Sequence, residues 1–193
     1  MASADPSFWD SQLFAAIIGA VSAMVIFIAG SALRNWKAKK TRLESYIVAL
    51  TFSRDEIEFY ITLLGQLSGE LGRLADGFAK VPHGPFVIPT YSLYPKFLEQ
   101  SKVELARSRR NAELVRRVSR THFELSHIAE RLAELKREWI EGPASLAFAR
   151  SNIEGFKKLV DDDIPGFASC AEALGVELKA AQHELLNLEM MSP

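Results

Sequence analysis

The chain has 193 residues, 48% of them apolar and 24% charged, with a formal net charge of −1. That balance excludes a surface that selects polyanions by overall charge. Its one cysteine, Cys170, excludes an intramolecular disulfide and fits a reducing compartment.

Residues 1–10 hold Asp5 and Asp10 and no Lys or Arg. The next 23 residues, Ser11 to Leu33, carry no charge. As a helix they extend about 35 Å, enough for a hydrocarbon core of about 30 Å. The run predicts a transmembrane helix over 11–33. A cleavable signal peptide is the competing reading. It wants a basic leader and a shorter apolar core, and neither is present. A buried soluble helix of this length would normally keep a polar face.

Arg34, Lys37, Lys39, Lys40 and Arg42 follow the span in a basic segment at 34–42, whereas only two acids precede it. By the positive-inside rule the short N-terminus is expected outside and the C-terminal bulk in the cytoplasm, at an inner or plasma membrane. Trp9 and Trp36 stand beyond the two ends, about 40 Å apart along a helix, at the depth indole rings favour. Ala15, Gly19 and Ala23 form a small-xxx-small ridge through which two copies could pack.

The remaining 160 residues carry all 23 basic side chains and 22 of the 24 acidic ones. They suffice for one domain with a real core. Positions 43, 47, 50, 54, 57, 61, 64, 68, 71, 75 and 78 alternate spacings of four and three, and eight of the eleven are large and apolar. This seam predicts a long helix from about Leu43 to Phe78, with Tyr60, Leu63, Leu67 and Leu74 widening its face. Arg54 interrupts the seam and is expected to snorkel to its edge or to pair with an acid. Gly65, Gly69, Gly72 and Gly77 weaken the distal half or mark a close helix approach.

Four prolines exclude a helix over 80–96, yet Phe86, Val87, Ile88, Tyr91, Leu93 and Tyr94 give the stretch apolar bulk. It is expected to be an ordered loop over the bundle's membrane-distal end. It is either a structural cap or a partner surface carrying Phe86, Tyr91 and Tyr94. A short helix is expected over 97–108, interrupted by Ser108-Arg109-Arg110-Asn111. A long one follows over about 111–140 with a seam of Leu114, Val118, Thr121, Leu125, Ile128, Leu132, Leu135 and Trp139. Gly142-Pro143 ends it, at a turn expected near the membrane. The last segment, 144–190, repeats the spacing from Ile153 to Leu188. Asp161-Asp162-Asp163 before Ile164-Pro165 reads as a kink or short break, with Asp163 as an N-cap. Together these segments predict an all-α chain: one transmembrane helix, then an antiparallel bundle of three to four long helices over 43–190.

Three patterns bear on chemistry. Glu124 and His127 make one E-x-x-H, as in di-iron bundles, but no second copy exists to complete a metal site. The triple aspartate lacks the spacing of a calcium loop. Arg116, Arg117 and Arg120 belong to the densest basic patch, at 107–120. It is either a solvated face paired with Glu113 and Glu124 at i, i+4 or a surface for an anionic partner. No nucleotide-binding loop, nucleophile elbow or zinc spacing occurs. The expected function is therefore a membrane-anchored scaffold or interaction module, without catalysis or cofactor. Its expected contacts are the lipid bilayer at Trp9, Arg34, Trp36, Lys37, Lys39 and Lys40, and a protein partner or a second copy. A small-molecule substrate is not expected. The alternatives are a metal-binding or enzymatic bundle using Glu124 and His127, and a tethered nucleic-acid binder using the arginine face.

Overall fold

The computed structural model describes residues 6–80, 88, 91, 93–108, 110–141 and 146–190, excepting the side chains of 6–15, 17–19, 78–80, 140–141 and 146–147. Four helices account for nearly all of it: α1 (Pro6–Lys80), α2 (Lys96–Ser108), α3 (Ala112–Glu141) and α4 (Leu146–Met190). Among the described residues there is no strand. The all-α class and the bundle are as the seams predict. The chain divides into two compact units, Met1–Leu43 and Glu44–Pro193.

In the first unit every residue from Ala20 to Ala29 is exposed. Ten consecutive residues at 100° each cover all sides of a helix, so none of its faces is packed there. Lys40 places its ammonium 5.7 Å from the Trp36 ring centroid. Among the described residues no helix is long and apolar enough to cross a membrane. The first half of the predicted span lies mostly among the side chains outside that set, so the described residues do not by themselves support a transmembrane helix.

In the second unit α1 buries Tyr46, Leu50, Ser53, Ile57, Tyr60, Leu64, Leu67 and Leu71. This corrects the predicted seam, because Ile47, Arg54 and Ile61 are only half-buried. The helix is turned so that Tyr46, Ser53, Tyr60 and Leu67 point inward instead. Arg54 snorkels: its Nε lies 2.7 Å from Glu58 Oε1, at the bundle's edge against Gly175.

Cross-helix bonds fix the directions. Tyr46 donates to Glu177 (3.0 Å) and Ser68 to Asp161 (2.5 Å), so α1 and α4 are antiparallel. Asn111 bonds Glu177 and Asn152 bonds Glu138, each at 3.1 Å, so α3 and α4 are antiparallel too. The stem of Lys157 lies across Gly72 on its way to Asp161, so an expected glycine contact is made there. Gly65 and Gly69 face open space.

α2 is only 13 residues long, too short to wall α1 along its length. The segment before it completes the wall. Ile88, Leu93 and Pro95 are buried, Tyr91 bonds Glu70, and the Tyr60 hydroxyl bonds the Tyr94 backbone. The described part of the 80–96 loop therefore runs along α1 and does not cap the bundle. Phe86 lies outside the described residues.

Glu56 of α1 holds the start of α2. Its carboxylate accepts from the backbone of Phe97 (3.2 Å) and Leu98 (2.5 Å). A helix N-terminus leaves such N–H groups without partners, and here the cap comes from a different helix. Replacing Glu56 by Ala is expected to cost about 1–2 kcal/mol, the usual loss of a cap, measured by urea denaturation. Asn111 caps α3 locally, its Oδ1 accepting from Leu114 N at 3.0 Å.

Of the predicted α3 seam, every member from Leu114 to Leu135 is buried and Trp139 is half-buried. Of the expected kink or short break, the break does not occur: α4 is helical throughout, with Pro165 inside it. Asp163 is therefore no N-cap. Phe167 and Val160 are fully buried on either side of the proline, and their packing holds the helix through it.

Candidate functional site

The arginine face comes from α3, whose inner stripe is fixed by Leu114, Val118, Thr121 and Leu125. Arg116, Arg117 and Arg120 stand off that stripe. Each makes an intrahelical ion pair: Arg116 and Arg117 with Glu113 at 2.7 and 3.2 Å, and Arg120 with Glu124 at 2.6 Å. Glu113 is held below the usual carboxylate range by these two arginines. The face is thus a laced surface in which Arg116, Arg117 and Arg120 each already have a carboxylate. Exposed pairs of this kind are screened by solvent and add little to stability.

Beside that face, α3 and α4 enclose a cleft of about 280 Å³ lined by Arg117, Arg120, Thr121, Glu124, Asp163 and Cys170, among others. Here the structure adds what spacing on one helix could not supply. Asp163 of α4 and Glu124 of α3 both line it, and Asp163 feels the charge of Glu124 and His127. Burial raises its carboxyl, Glu124 raises it further, and His127 and Arg120 pull the other way. Burial also raises the Cys170 thiol, against a hydrogen bond from Thr121. A thiol held neutral in this way is a poor nucleophile. Among the described residues no group of three or more His, Cys, Asp or Glu is placed to hold a metal ion. Glu124 shares the cleft with Asp163, and the described residues hold no coordination set around them.

The raised Asp163 carboxyl gives a signed pH dependence. It binds its proton more readily in the folded chain than in the unfolded one, so ionisation costs stability. That cost is absent below the ordinary carboxylate range and complete above the raised value. Replacing Asp163 by Asn is expected to stabilise the fold by about 0.5 kcal/mol near neutral pH, the scale of a like-charge contact. The gain should vanish near about pH 3, where the carboxyl is neutral. Melting curves of both proteins across this range would show it.

A second polar cluster lies at the N-terminal end of α3. Glu177 accepts from Tyr46 and Asn111, Arg110 pairs with Glu184, and its guanidinium lies 5.4 Å from the Tyr46 ring centroid. Burial, with Glu177 alongside, pushes the Tyr46 phenol well above its usual range. The cluster ties α1, the α2–α3 turn and α4 together.

The remaining predicted residues are dispersed. Tyr94 is exposed and Tyr91 is half-buried against Glu70. Arg34, Lys37 and Lys39 are exposed, Trp36 and Lys40 half-exposed, and the side chain of Trp9 lies outside the described residues. The sequence reading missed an exposed aromatic group on α1 and α2. Phe52 and Phe97 stack with centroids 5.5 Å apart, and Phe59 sits edge-on to Tyr60 at 5.4 Å. Phe123 is also missed, 71% exposed on the same helix as the arginine face.

The fold defines an all-α helical bundle. Comparison with protein-family models, curated proteins and solved structures finds no match for the chain.

Proposed function

We propose that the protein is a single-pass, membrane-anchored helical scaffold or interaction module that performs no catalysis. Its N-terminus lies outside and its bundle in the cytoplasm, at an inner or plasma membrane. The observation that carries this reading is the charge-free run Ser11–Leu33 followed by Arg34, Lys37, Lys39, Lys40 and Arg42. The exposure of Val21, Met24, Val25, Ile26, Phe27 and Ile28 fits it, since a helix in water keeps such residues on a covered face. The bundle supports a binding role by what its surfaces offer: exposed aromatic side chains and self-paired charges around closed seams. The span holds no ionisable residue with which to build a transport path.

Alkaline carbonate extraction of membranes from cells making the full chain tests the anchor. The protein should stay in the membrane pellet, and a reagent that does not cross membranes should label a cysteine at position 3 in intact spheroplasts. Release by carbonate, or labelling only after lysis, overturns the anchor or its orientation respectively.

A further inference from the structure

One end of the bundle is marked by Tyr46. Its hydroxyl donates to Glu177, Asn111 donates to the same carboxylate, and Arg110 pairs with Glu184. The chain enters the bundle at this end, because the second unit begins at Glu44. The α2–α3 turn lies here, and α3 runs away from it. The turn expected near the membrane, at 142–143, instead follows the far end of α3. α4 does not stop level with Tyr46. It continues for thirteen residues past Glu177, to Met190, a length of about 20 Å. On this overhang Leu186 and Met190 stand one turn apart, 58% and 77% exposed.

We propose that the overhang is a second membrane contact: Leu186 and Met190 enter the interfacial layer of the bilayer that holds the anchor. This contact rests on the anchor reading and adds to it. Reach selects the bilayer as the occupant. Leu33, the last residue of the charge-free run, precedes Tyr46 by thirteen residues, as many as lie between Glu177 and Met190. A helical connection of that length also spans about 20 Å. From the level of the Tyr46–Glu177 bond, the tip of α4 is therefore long enough to meet the membrane surface on which the bundle is held.

The chemistry of the tip suits a shallow seat. Leu186 and Met190 give up apolar surface to the boundary between headgroups and acyl chains, while the last carbonyls of α4 stay in the hydrated headgroup layer. Glu189 stands about 100° round the helix from Met190, so its carboxylate keeps to that layer as well. Arg110 and Lys179 are offset by Glu177, Glu184 and Glu189, and the end carries no basic excess. The contact is therefore apolar and does not require anionic lipid.

Depth-dependent quenching of the full chain in phosphatidylcholine vesicles tests this. Leu186→Cys, Met190→Cys, Phe123→Cys and Val25→Cys are each labelled with bimane, and the lipid carries a nitroxide near the headgroup end of its acyl chain. Cys170 is buried, and the labelled parent sets its background. Labels at 186 and 190 should be quenched at least about threefold more than the label at 123, which lies on the outer face of α3. Adding Leu186→Glu should bring the label at 190 down to the level of the label at 123, whereas adding Gln182→Glu should leave it quenched. Labels at 186 and 190 that are quenched no more than the one at 123, while the label at 25 is quenched, overturn the contact and leave the anchor standing. Quenching at 186 and 190 that appears only when phosphatidylglycerol is added overturns the apolar seat. A label at 25 that lipid does not quench overturns the anchor, and this contact with it.

Discussion

Replacing Phe167 by alanine is expected to lower the unfolding free energy by about 3–5 kcal/mol, and replacing Phe123 by alanine by less than about 0.5 kcal/mol. The chemistry of the two substitutions is identical. Phe167 is fully buried on the inner face of α4, whereas Phe123 is 71% exposed on the outer face of α3. Truncating Phe167 forfeits its transfer out of water and leaves a cavity that stiff neighbours close only in part. Truncating Phe123 exposes nothing that water does not already reach. Since a domain is stable by about 5–15 kcal/mol, the first change removes a large share of the total. Urea denaturation of the full chain in detergent, followed by helix circular dichroism, reads both. Equal losses would mean that α4 does not pack on this face.

How much of this was visible in the sequence depended on how narrow each apolar stripe is. On α3, Leu114, Val118, Thr121, Leu125 and Ile128 are flanked by charge, so one register satisfies them. On α1, Ile47 and Ile61 compete with Tyr46 and Tyr60 for the interior, and the counted seam favours the two isoleucines because Ser53 looks polar. The structure buries Ser53 with its hydroxyl unpartnered and leaves Ile47 and Ile61 at the edge. A face this wide cannot choose its own centre, because the neighbouring helices do that. The candidate site was still less legible. Tyr46 and Glu177 are 131 positions apart, and the cleft that Asp163 and Glu124 share exists only once α3 packs on α4. The aspartate triplet misled for the same reason. Before a proline it has the local chemistry of a helix start, and tertiary packing overrides that preference.

Pro165 is where that override has a measurable size. Its ring lacks the N–H that would bond the Asp161 carbonyl, and proline in a helix interior is about 3 kcal/mol less favourable than alanine. Both Pro165 and Asp161 are exposed, so water reaches the freed carbonyl and part of the penalty is already relieved. Proline also stiffens the unfolded chain, an advantage of about 0.4–1 kcal/mol that alanine gives up. The difference leaves Pro165→Ala more stable than the parent by about 1–2 kcal/mol. Amide exchange at residues 165–169 should slow in parallel, because the restored turn closes the weakest point of α4. The side chain of Asp161 already holds Ser68 and Lys157, so the substitution changes only the backbone bond. A Pro165→Ala protein that is less stable than the parent would show that the packing of Val160 and Phe167 depends on the bend proline imposes. In that case the proline would be a shaping element of the bundle, and α4 would owe its path between α1 and α3 to it.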